Sequence, residues 1–409
     1  MTKVVHIQKH LPSSGNAAFR LHSAFLKVGI ESTMFSLSSD IPKNKYVDHL
    51  GKKALLRSII DSKLQNLLKR ETVAEYGLFS YPILGHDISK NEHIRNADVI
   101  YLHWVVGGFL NLNNIKKIAA LNKPTIIFMH DMWYITGGCH HSFKCEKYIN
   151  ECHECQVFSK KRIFDLSTRE FRKKKKIYAK YNNLYFVSPS KWLYNCATQS
   201  NLLKNKPIYT IPNVIDNSLF KSIDKITAKK IFNIPLEVKV LAFGATSLNS
   251  PFKGWLYLLQ ALGILRSNLK YDEVLILTFG GILSTEIIDK IPFKIKMLGP
   301  LHDDYSTMLA YNAADVFIAP SLAETFGLVI LEAILCGTPA VGFKIGGIPD
   351  IINHKKNGYL ANYKDASDLA EGIIYCLKKK LPMNIPKDFS LNHIIGEHLK
   401  LIENCKRQF

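Results

Sequence analysis

Hydrophobic positions along the chain fall into short, nearly continuous runs that alternate with longer segments of helical periodicity. The short runs are rich in Val, Ile, Leu and Phe, which is typical of strands buried on both faces of a parallel sheet. Apolar residues spaced three and four apart predict helices between these runs, for example at residues 17–29, 255–268 and 366–380. The runs predict strands at residues 2–8, 32–37, 98–104, 124–130, 183–190, 238–244, 273–280, 295–299, 315–320 and 339–343.

The order of these elements predicts two domains. Strand and helix alternate through both halves of the chain, which is the pattern of doubly wound α/β domains. A chain of 409 residues is also too long for one ordinary core. Residues 209–220 carry Pro, Asn and Asp between the two sets of strands and mark a boundary. We therefore expect a first domain at 1–209, a second at 210–385, and a terminal helix at 386–409 that returns to the first domain.

Composition and charge limit the class of protein. Hydrophobic residues make up 47% of the chain, so packed domains are expected rather than disorder. The N-terminus lacks the apolar core of a signal peptide, and no apolar run approaches the roughly 20 residues that span a bilayer, so a cytoplasmic location is expected. The formal net charge of +20 calls for an anionic partner: nucleic acid, a membrane surface or a phosphorylated ligand. A basic helical segment at 51–71 has no assigned place in the predicted fold.

Two glutamates in the second half, Glu324 and Glu332, are separated by seven residues. The pattern predicts a helix that begins near Phe326 or Gly327, with Thr325 as its N-cap. The N-terminus of such a helix is an anion site, and Gly327 lets a phosphate approach closely. Glu332 falls inside the apolar helix and needs a partner, because a buried carboxylate is costly. A ribose diol is one suitable partner, and a neighbouring Lys or Arg is the alternative.

A second fragment places a lysine after the strand that ends at Gly244. Lys253 and Gly254 lie on the loop between this strand and the next helix. A lysine at that position is a point charge for a phosphate, although a lone lysine is more often a solvated surface residue.

Together these motifs resemble the C-terminal half of the retaining glycosyltransferases of family 4, which have the GT-B fold of two Rossmann-like domains facing across a cleft. The resemblance rests on Lys253-Gly254, on Glu324-x-Phe326-Gly327 followed by Glu332, on residues 314–317 before Pro320-Ser321, and on residues 337–341. It implies that Lys253 and the N–H groups near Phe326, Gly327 and Leu328 bind the donor diphosphate, that Glu332 binds the ribose, and that Glu324 contacts the donor sugar. Gly244 and Thr325 are further candidates for the donor site.

The resemblance also implies a hexosyltransferase that uses a UDP- or GDP-sugar with retention, and its catalytic candidates are Glu324, Lys253 and His130. Many members carry an Arg where this chain has Ala245, so one phosphate cation is unassigned. No DxD-like metal-binding pair follows a strand in the second half, so we expect no catalytic metal.

Two predicted strands in the first half end in histidine, at His103 and His130. His130 is followed by Asp131 and Trp133, a polar and aromatic group suited to sugar rings. His103 is equally consistent with a hydrogen-bonding residue of the core. Gly15 precedes the first helix and is a further candidate for the acceptor site. Residues 103–111 and 129–140 resemble a subgroup of family 4 that builds bacterial exopolysaccharide, capsule or lipopolysaccharide, which implies a saccharide acceptor, typically lipid-linked.

Residues 158–181 hold ten Lys or Arg residues against Asp165 and Glu170. Such a run is often only a solvated helix face. The functional interpretation is a contact with anionic lipid, where each basic residue adds roughly 1 kcal/mol, and it predicts a peripheral membrane protein. Nucleic acid is not an expected partner, because no RRM, KH or helix-turn-helix pattern is present.

Four of the eight cysteines, Cys139, Cys145, Cys152 and Cys155, lie within 17 residues. Four thiolates, two of them in a Cys-x2-Cys spacing, suit a structural tetrahedral zinc site, and His140, His141 or His153 could replace one ligand. The alternative is a set of reduced or redox-labile thiols.

The predicted function is therefore the transfer of a sugar from a nucleotide donor to a saccharide acceptor in cell-surface polysaccharide synthesis. A GT-B epimerase or phosphorylase is the rival among enzymes. A zinc-dependent nucleic-acid-binding protein is the rival from another class, because it would also account for the charge and the cysteines.

Overall fold

The computed structural model describes residues 2–11, 16–69, 73, 77–159, 163–245, 248, 250–267 and 269–408. The chain divides into two compact units, one of Met1–Val214 with Asn392–Phe409 and one of Ile215–Leu391. The sequence had predicted these divisions at 209/210 and 385/386, a few residues earlier in each case.

The first unit is a seven-stranded parallel sheet with helices between its strands, in the order β3-β2-β1-β4-β5-β6-β7. Its strands are β1 (Lys3–Leu11), β2 (Glu31–Ser39), β3 (Val47–His49), β4 (Val99–Leu102), β5 (Thr125–Phe128), β6 (Leu184–Ser188) and β7 (Ile208–Thr210). Its helices are α1 (Asn16–Lys27), α2 (Lys52–Lys69), α3 (Glu92–Asn96), α4 (Leu112–Ala119), α5 (Leu166–Lys180) and α6 (Lys191–Gln199).

The second unit is a six-stranded parallel sheet in the order β10-β9-β8-β11-β12-β13. Its strands are β8 (Lys239–Ala245), β9 (Val274–Gly280), β10 (Lys294–Met297), β11 (Val316–Ala319), β12 (Ala340–Phe343) and β13 (Gly358–Ala361). Its helices are α7 (Lys225–Ile231), α8 (Trp255–Arg266), α9 (Thr285–Ile288), α10 (Asp304–Ala313), α11 (Leu328–Leu335), α12 (Ile348–Ile351) and α13 (Ala366–Lys378). The last helix, α14 (Leu391–Arg407), belongs with the first unit apart from its first residue.

All ten predicted strands are confirmed, because continuous apolar runs are what a sheet covered on both faces requires. Three strands were missed: β3, β7 and β13 are only three or four residues long, and none of them is a continuous apolar run. In the part of the chain that the structure describes, no helix combines the length and the apolar character needed to cross a membrane.

Candidate functional site

The loops that follow β8 and β11, two neighbouring strands of the second sheet, contact each other directly. The loop after β8 makes a short turn at Pro251–Lys253 and then reverses at Gly254, which has a φ of 72°. A Cβ on Gly254 would lie 1.9 Å from the carbonyl oxygen of Pro320, so no other residue fits this contact. The backbone N–H of Leu322 donates to the Phe252 carbonyl at 2.7 Å. These contacts bring Lys253 to the loop that precedes α11.

Lys253 and Glu324 meet at this junction. The Lys253 Nζ donates to Glu324 Oε2 at 3.2 Å, and the two side chains are 29% and 19% exposed. A carboxylate and an ammonium so exposed can both reach a bound molecule. The structure therefore brings together two residues that the sequence pattern assigned separately, one to the donor phosphates and one to the donor sugar.

A glycine pair that the sequence analysis missed holds the backbone of Glu324. Gly347 donates its N–H to the Glu324 carbonyl at 3.0 Å, and a Cβ on Gly346 would lie 1.9 Å from the same oxygen. The available signal was a Gly-Gly pair three residues after a predicted strand, which marks a turn or a close approach of two backbones. The loop after β12 thus fixes the position of Glu324.

The helix α11 begins two residues later than the predicted N-cap at Thr325 requires. Its N-cap is Gly327, with a φ of 100°, and no side chain caps it. The prediction of Thr325 as N-cap is wrong: the left-handed turn at Gly327 sets the helix start, and the Thr325 hydroxyl is buried without a hydrogen-bond partner among the described residues. The first N–H groups of a helix, here from Leu328 onward, have no partner within it and suit an anion. The Phe326 ring packs in the core against Phe389, so only its backbone is available to a ligand.

Glu332 is buried inside α11, as predicted. Its Oε2 accepts a hydrogen bond of 2.8 Å from the hydroxyl of Tyr311 on α10. The sequence predicted a Lys, an Arg or a ribose as the partner of Glu332, and Tyr311 was not among the candidates. The tyrosine hydroxyl is an uncharged donor, so this contact does not neutralise the carboxylate as a Lys or Arg would, and it is compatible with binding a diol.

Gly244 has a packing role that the sequence did not reveal. It pairs with Phe279 on β9, and a Cβ at this position would lie 2.4 Å from the Phe279 ring. The neighbouring Ala245 closes β8 and is buried. Any contact from Gly244 to a donor would come from its backbone.

In the first unit, three histidines, two of them buried and one half-buried, form a hydrogen-bonded row. His103 shares one ring nitrogen with His130 at 2.9 Å and the other with His6 at 3.0 Å. Burial lowers the pKa of His130 to about 4, and burial followed by the neighbouring histidines holds the pKa of His103 well below its usual range. Both rings are therefore neutral near pH 7. His103 is 1% exposed with both nitrogens engaged, so its prediction as an acceptor contact is wrong and its alternative as a core residue is correct.

Asp131 is held by a second set of contacts. Its Oδ2 lies 2.5 Å from His140 Nδ1, and its Oδ1 accepts the Trp133 N–H at 2.8 Å. Burial alone would raise the pKa of Asp131, but His140 and these hydrogen bonds hold it below its ordinary value. His140 also bonds the Ser80 hydroxyl at 2.8 Å. His140, considered as a substitute zinc ligand, is therefore a positioning partner of Asp131.

The indole of Trp133 cannot lie against a sugar. It is 1% exposed, and its Nε1 donates to the Ser80 carbonyl at 3.1 Å. The buried ammonium of Lys174 stands 3.6 Å from the ring centroid. The prediction of Trp133 as an acceptor contact is therefore wrong, because the ring belongs to the core. Gly15, the other predicted contact, lies outside the described residues.

The basic run of the first unit is less uniform than its sequence indicates. Lys174 on α5 is fully buried and donates to the carbonyls of Trp133 and Thr136, so it cannot reach a lipid surface as predicted. Arg172 is exposed but paired with Glu151 at 2.8 Å. The exposed lysines of this helix include Lys173, Lys175 and Lys176.

The four clustered cysteines lie near one another. Cys139 and Cys155 pack against the same small apolar cluster, and Cys152 Sγ accepts the Gly137 N–H at 3.2 Å. Burial raises the pKa of Cys139 to about 11 and that of Cys155 to about 12, and it holds that of Cys152 well above the ordinary value. No group of three or more His, Cys, Asp or Glu residues arranged to hold a metal ion is found in the described ranges. The zinc site stays a prediction.

The second unit is similar in sequence to a known protein family. The model of the family described as "Glycosyl transferases group 1" matches residues 237–379, which include Lys253, Glu324 and Glu332. N-acetyl-alpha-D-glucosaminyl L-malate synthase of Bacillus anthracis is 31% identical over 214 residues, 50% of this chain and 50% of that enzyme. An uncharacterized glycosyltransferase of Methanocaldococcus jannaschii is 23% identical over 309 residues, 71% of this chain and 78% of that protein. The alignment with the Bacillus enzyme thus spans half of its length.

Solved structures match the fold of nearly the whole chain. A glycosyltransferase from Rickettsia africae has a TM-score of 0.63 at 16% identity and covers 99% of this chain and 98% of its own. Anabaena HepE in complex with UDP and glucose has a TM-score of 0.60 at 16% identity, covering 100% and 98%. WaaG, a glycosyltransferase involved in lipopolysaccharide biosynthesis, has a TM-score of 0.59 at 14% identity, covering 98% of both chains. The predicted GT-B fold is confirmed.

Proposed function

We propose that the chain is a group 1 glycosyltransferase, as the family match of residues 237–379 indicates, and that it transfers a sugar from a nucleoside diphosphate sugar to a hydroxyl of a saccharide acceptor. The names of its relatives describe sugar-transferring enzymes, and the proposal assigns this activity to the whole protein. UDP is the first donor nucleotide to test, because the structurally similar HepE was crystallised with UDP, and GDP is the second.

The observation that carries the proposal is the pairing of Lys253 with Glu324 just before α11, the helix that contains Glu332. A lysine ammonium has three N–H donors, so Lys253 can keep its bond to Glu324 while it donates to a phosphate oxygen. The N-terminus of α11 adds further N–H donors and the positive end of the helix dipole. Glu332 supplies an acceptor for the ribose hydroxyls, and Glu324 supplies one for the donor sugar.

In this arrangement the second unit stabilises the departing nucleoside diphosphate. Negative charge grows on the leaving phosphate in the transition state, and preorganised donors are most effective there. Lys253 and the helix N–H groups supply those donors without a divalent cation. We therefore propose that transfer continues in excess EDTA; loss of activity with the fold intact, restored by Mg²⁺ or Mn²⁺, would contradict this.

The acceptor side of the proposal rests on His130 and Asp131. His130 is neutral near pH 7 and half-buried, so it can exchange a hydrogen bond with a sugar hydroxyl without a charge. Asp131 is ionised and fixed by His140, which suits a hydroxyl donor. We also propose that the sugar keeps its anomeric configuration. The proposed acceptor is a lipid-linked saccharide, and the proposed location of the protein is the surface of an anionic membrane.

The experiment is a thermal-shift screen against UDP-, GDP- and ADP-sugars, followed by product analysis with the nucleotide sugar that stabilises the protein. We expect one nucleotide to raise the Tm, and release of the nucleoside diphosphate with the anomeric configuration of the sugar kept. Conversion of the nucleotide sugar to its epimer without an acceptor would favour an epimerase instead. Tight binding of random RNA with no response to any nucleotide sugar would contradict the proposal altogether.

A further inference from the structure

The helix α2, Lys52–Lys69, packs on the first unit with its polar side and turns apolar residues to the solvent. Helices at the surface of a globular protein normally do the reverse. With 3.6 residues per turn, Ser58, Asp61 and Gln65 lie on one side of the helix, and all three are buried. This helix, which had no assigned place in the predicted fold, is therefore held by three polar side chains and leaves apolar and basic side chains exposed together.

Hydrogen bonds fix the buried polar face. Asp61 Oδ1 accepts the backbone N–H groups of Ile83 and Leu84 at 2.9 and 2.7 Å, and Asp61 Oδ2 accepts the Gln65 side-chain amide at 2.5 Å. The Ser58 hydroxyl donates to the Gly107 carbonyl at 2.5 Å. These bonds give all three polar residues hydrogen-bond partners. They therefore fix which side of α2 faces the first unit and which side is exposed.

Two adjacent glycines allow α2 to approach this closely. A Cβ on Gly108, whose φ is 80°, would lie 2.4 Å from the Cα of Ser58. Gly107 has a φ of 72° and presents the carbonyl that Ser58 bonds. Gly107 and Gly108 thus form the surface on which α2 packs.

The opposite side of α2 carries an unusual number of large apolar side chains. Six of them are exposed: Leu56 (63%), Ile59 (53%), Ile60 (42%), Leu64 (37%), Leu67 (71%) and Leu68 (49%). Positions 56, 60, 64 and 67 follow the helical repeat, so these side chains form one stripe rather than scattered residues. Isolated exposed apolar residues need no explanation, but a continuous stripe marks a binding surface.

The charge on this surface is of one sign. Lys52, Lys53, Arg57 and Lys63 are exposed, and Asp61, the one acidic residue in the helix, is buried beneath it. Lysine and arginine side chains can extend their charged ends past apolar neighbours to reach a headgroup. The partner that complements leucines and isoleucines interspersed with cations is an anionic lipid surface.

We propose that α2 binds in the plane of an anionic membrane, with Leu56, Ile59 and Leu67 inserted among the acyl chains and the four basic residues at the headgroups. The 18 residues give a helix about 27 Å long, which lies along the interface and does not cross it. This inference deepens the membrane contact proposed above and moves it from α5, where Lys174 is buried, to α2. It does not depend on the transfer reaction.

The test is flotation with vesicles of phosphatidylcholine and phosphatidylglycerol. The triple variant Leu56→Gln, Ile59→Gln, Leu67→Gln should lower the partition of the protein into vesicles by about tenfold or more, because the apolar contribution is lost. A matched control is Ile231→Gln, Leu256→Gln, Ile282→Gln, which removes side chains that are 53%, 64% and 71% exposed in the second unit. This control should float like the wild type.

A charge variant separates α2 from α5. Replacing Lys52, Lys53, Arg57 and Lys63 by Gln should weaken binding to anionic vesicles and reduce its salt dependence. Replacing Lys173, Lys175 and Lys176 on α5 by Gln should have a smaller effect. If the α5 variant abolishes flotation while both α2 variants float normally, the assignment to α2 is wrong.

A tryptophan probe reports insertion directly. Leu67→Trp should give a blue-shifted emission on addition of anionic vesicles, whereas Ile282→Trp, at an equally exposed position, should not. An unchanged Leu67→Trp spectrum with the protein bound to vesicles would overturn the insertion. So would a stable dimer without lipid that the Leu56, Ile59, Leu67 variant converts to monomers, since the stripe would then be an interface between copies. Calorimetric binding of UDP to the same preparations shows separately whether the donor site is functional.

Discussion

Lys253 donates a hydrogen bond to Glu324 across 3.2 Å, and the two residues follow neighbouring strands of the second sheet. The carboxyl ends of adjacent parallel strands are the usual place for ligands in such sheets. The bond couples the residue proposed to hold the diphosphate with the residue proposed to contact the sugar.

Lys253→Ala should weaken the binding of the nucleoside diphosphate and also lower kcat. The loss of a hydrogen bond to a charged group corresponds to about 1.5–3 kcal/mol, or roughly ten- to a hundredfold in affinity. The fall in kcat follows because the leaving-group charge grows in the transition state. Calorimetry with UDP and steady-state kinetics measure the two effects. Lys239→Ala, at the exposed start of β8, is the control. Unchanged nucleotide affinity in Lys253→Ala would show that Lys253 is not part of the donor site.

Glu332→Gln should mainly raise the Kd of the nucleotide, by a factor that corresponds to about 1.5–3 kcal/mol, because a neutral amide is a weaker acceptor for the ribose hydroxyls. Tyr311→Phe removes the hydroxyl that bonds Glu332 and should have a smaller effect, about 1 kcal/mol. Calorimetry with UDP and with free uracil separates the ribose contact from the base. An affinity in Glu332→Gln equal to that of the wild type would contradict the assignment.

The first unit should lose stability as the pH falls below about 6.5. Burial lowers the pKa of His22 and His130 to about 4 and that of His398 to about 3. The unfolded chain therefore binds more protons than the folded one between these values and about 6.5, so stability rises with pH in this window. Each such histidine should reduce the free energy of unfolding by on the order of 1–2 kcal/mol at pH 5 compared with pH 7.

Urea unfolding at the two pH values measures this effect. In a Trp255→Phe background, the remaining tryptophans, Trp104, Trp133 and Trp192, all report on the first unit. His22→Gln should reduce the pH dependence, because it removes one of the groups. Equal free energies of unfolding at pH 7 and pH 5 would show that these histidines are protonated in the folded protein or exposed to solvent.

The prediction of a structural zinc from the four clustered cysteines is tested by elemental analysis. Protein purified without added metal should contain about one zinc per chain. The double variant Cys152→Ser, Cys155→Ser should lose it, and the control Cys196→Ser, Cys376→Ser should keep it. Thiol reactivity alone is a poor test, since burial raises the pKa of Cys139 and Cys155 and slows their reaction in any case. Metal-free protein with native stability would leave four reduced thiols as the correct interpretation.

The sequence predicted the strands and the spacing of Glu324 and Glu332 because both are local patterns. The sequence could not predict how deeply each side chain is buried. His103 and Trp133 follow buried strands, as expected of binding residues, yet both are core residues, and only the contacts of His6 and Ser80 reveal this. Tyr311 lies on a different helix from Glu332, and no local pattern links them.

The helical repeat of the sequence could have predicted two further features, the burial of Lys174 and the polar side of α2. Lys174 lies three residues from both Phe171 and Ile177, which places it on the apolar face of α5. The spacing of Ser58, Asp61 and Gln65 likewise places three polar residues on one side of α2 and the leucines on the other. The helical repeat indicated both arrangements, but a general expectation that charged residues face solvent concealed them.

The measurement that tests the account most directly is a comparison of UDP binding with sugar transfer in the variant Glu324→Gln. The substitution keeps the size of the side chain and a hydrogen bond to Lys253 but removes the charge at the reacting centre. We expect calorimetry to give a Kd for UDP within about threefold of the wild type, since a surface-accessible ion pair contributes little, while transfer falls by about a hundredfold or more. Near-normal transfer by this variant would contradict the role of Glu324 and, with it, the donor site described for the second unit.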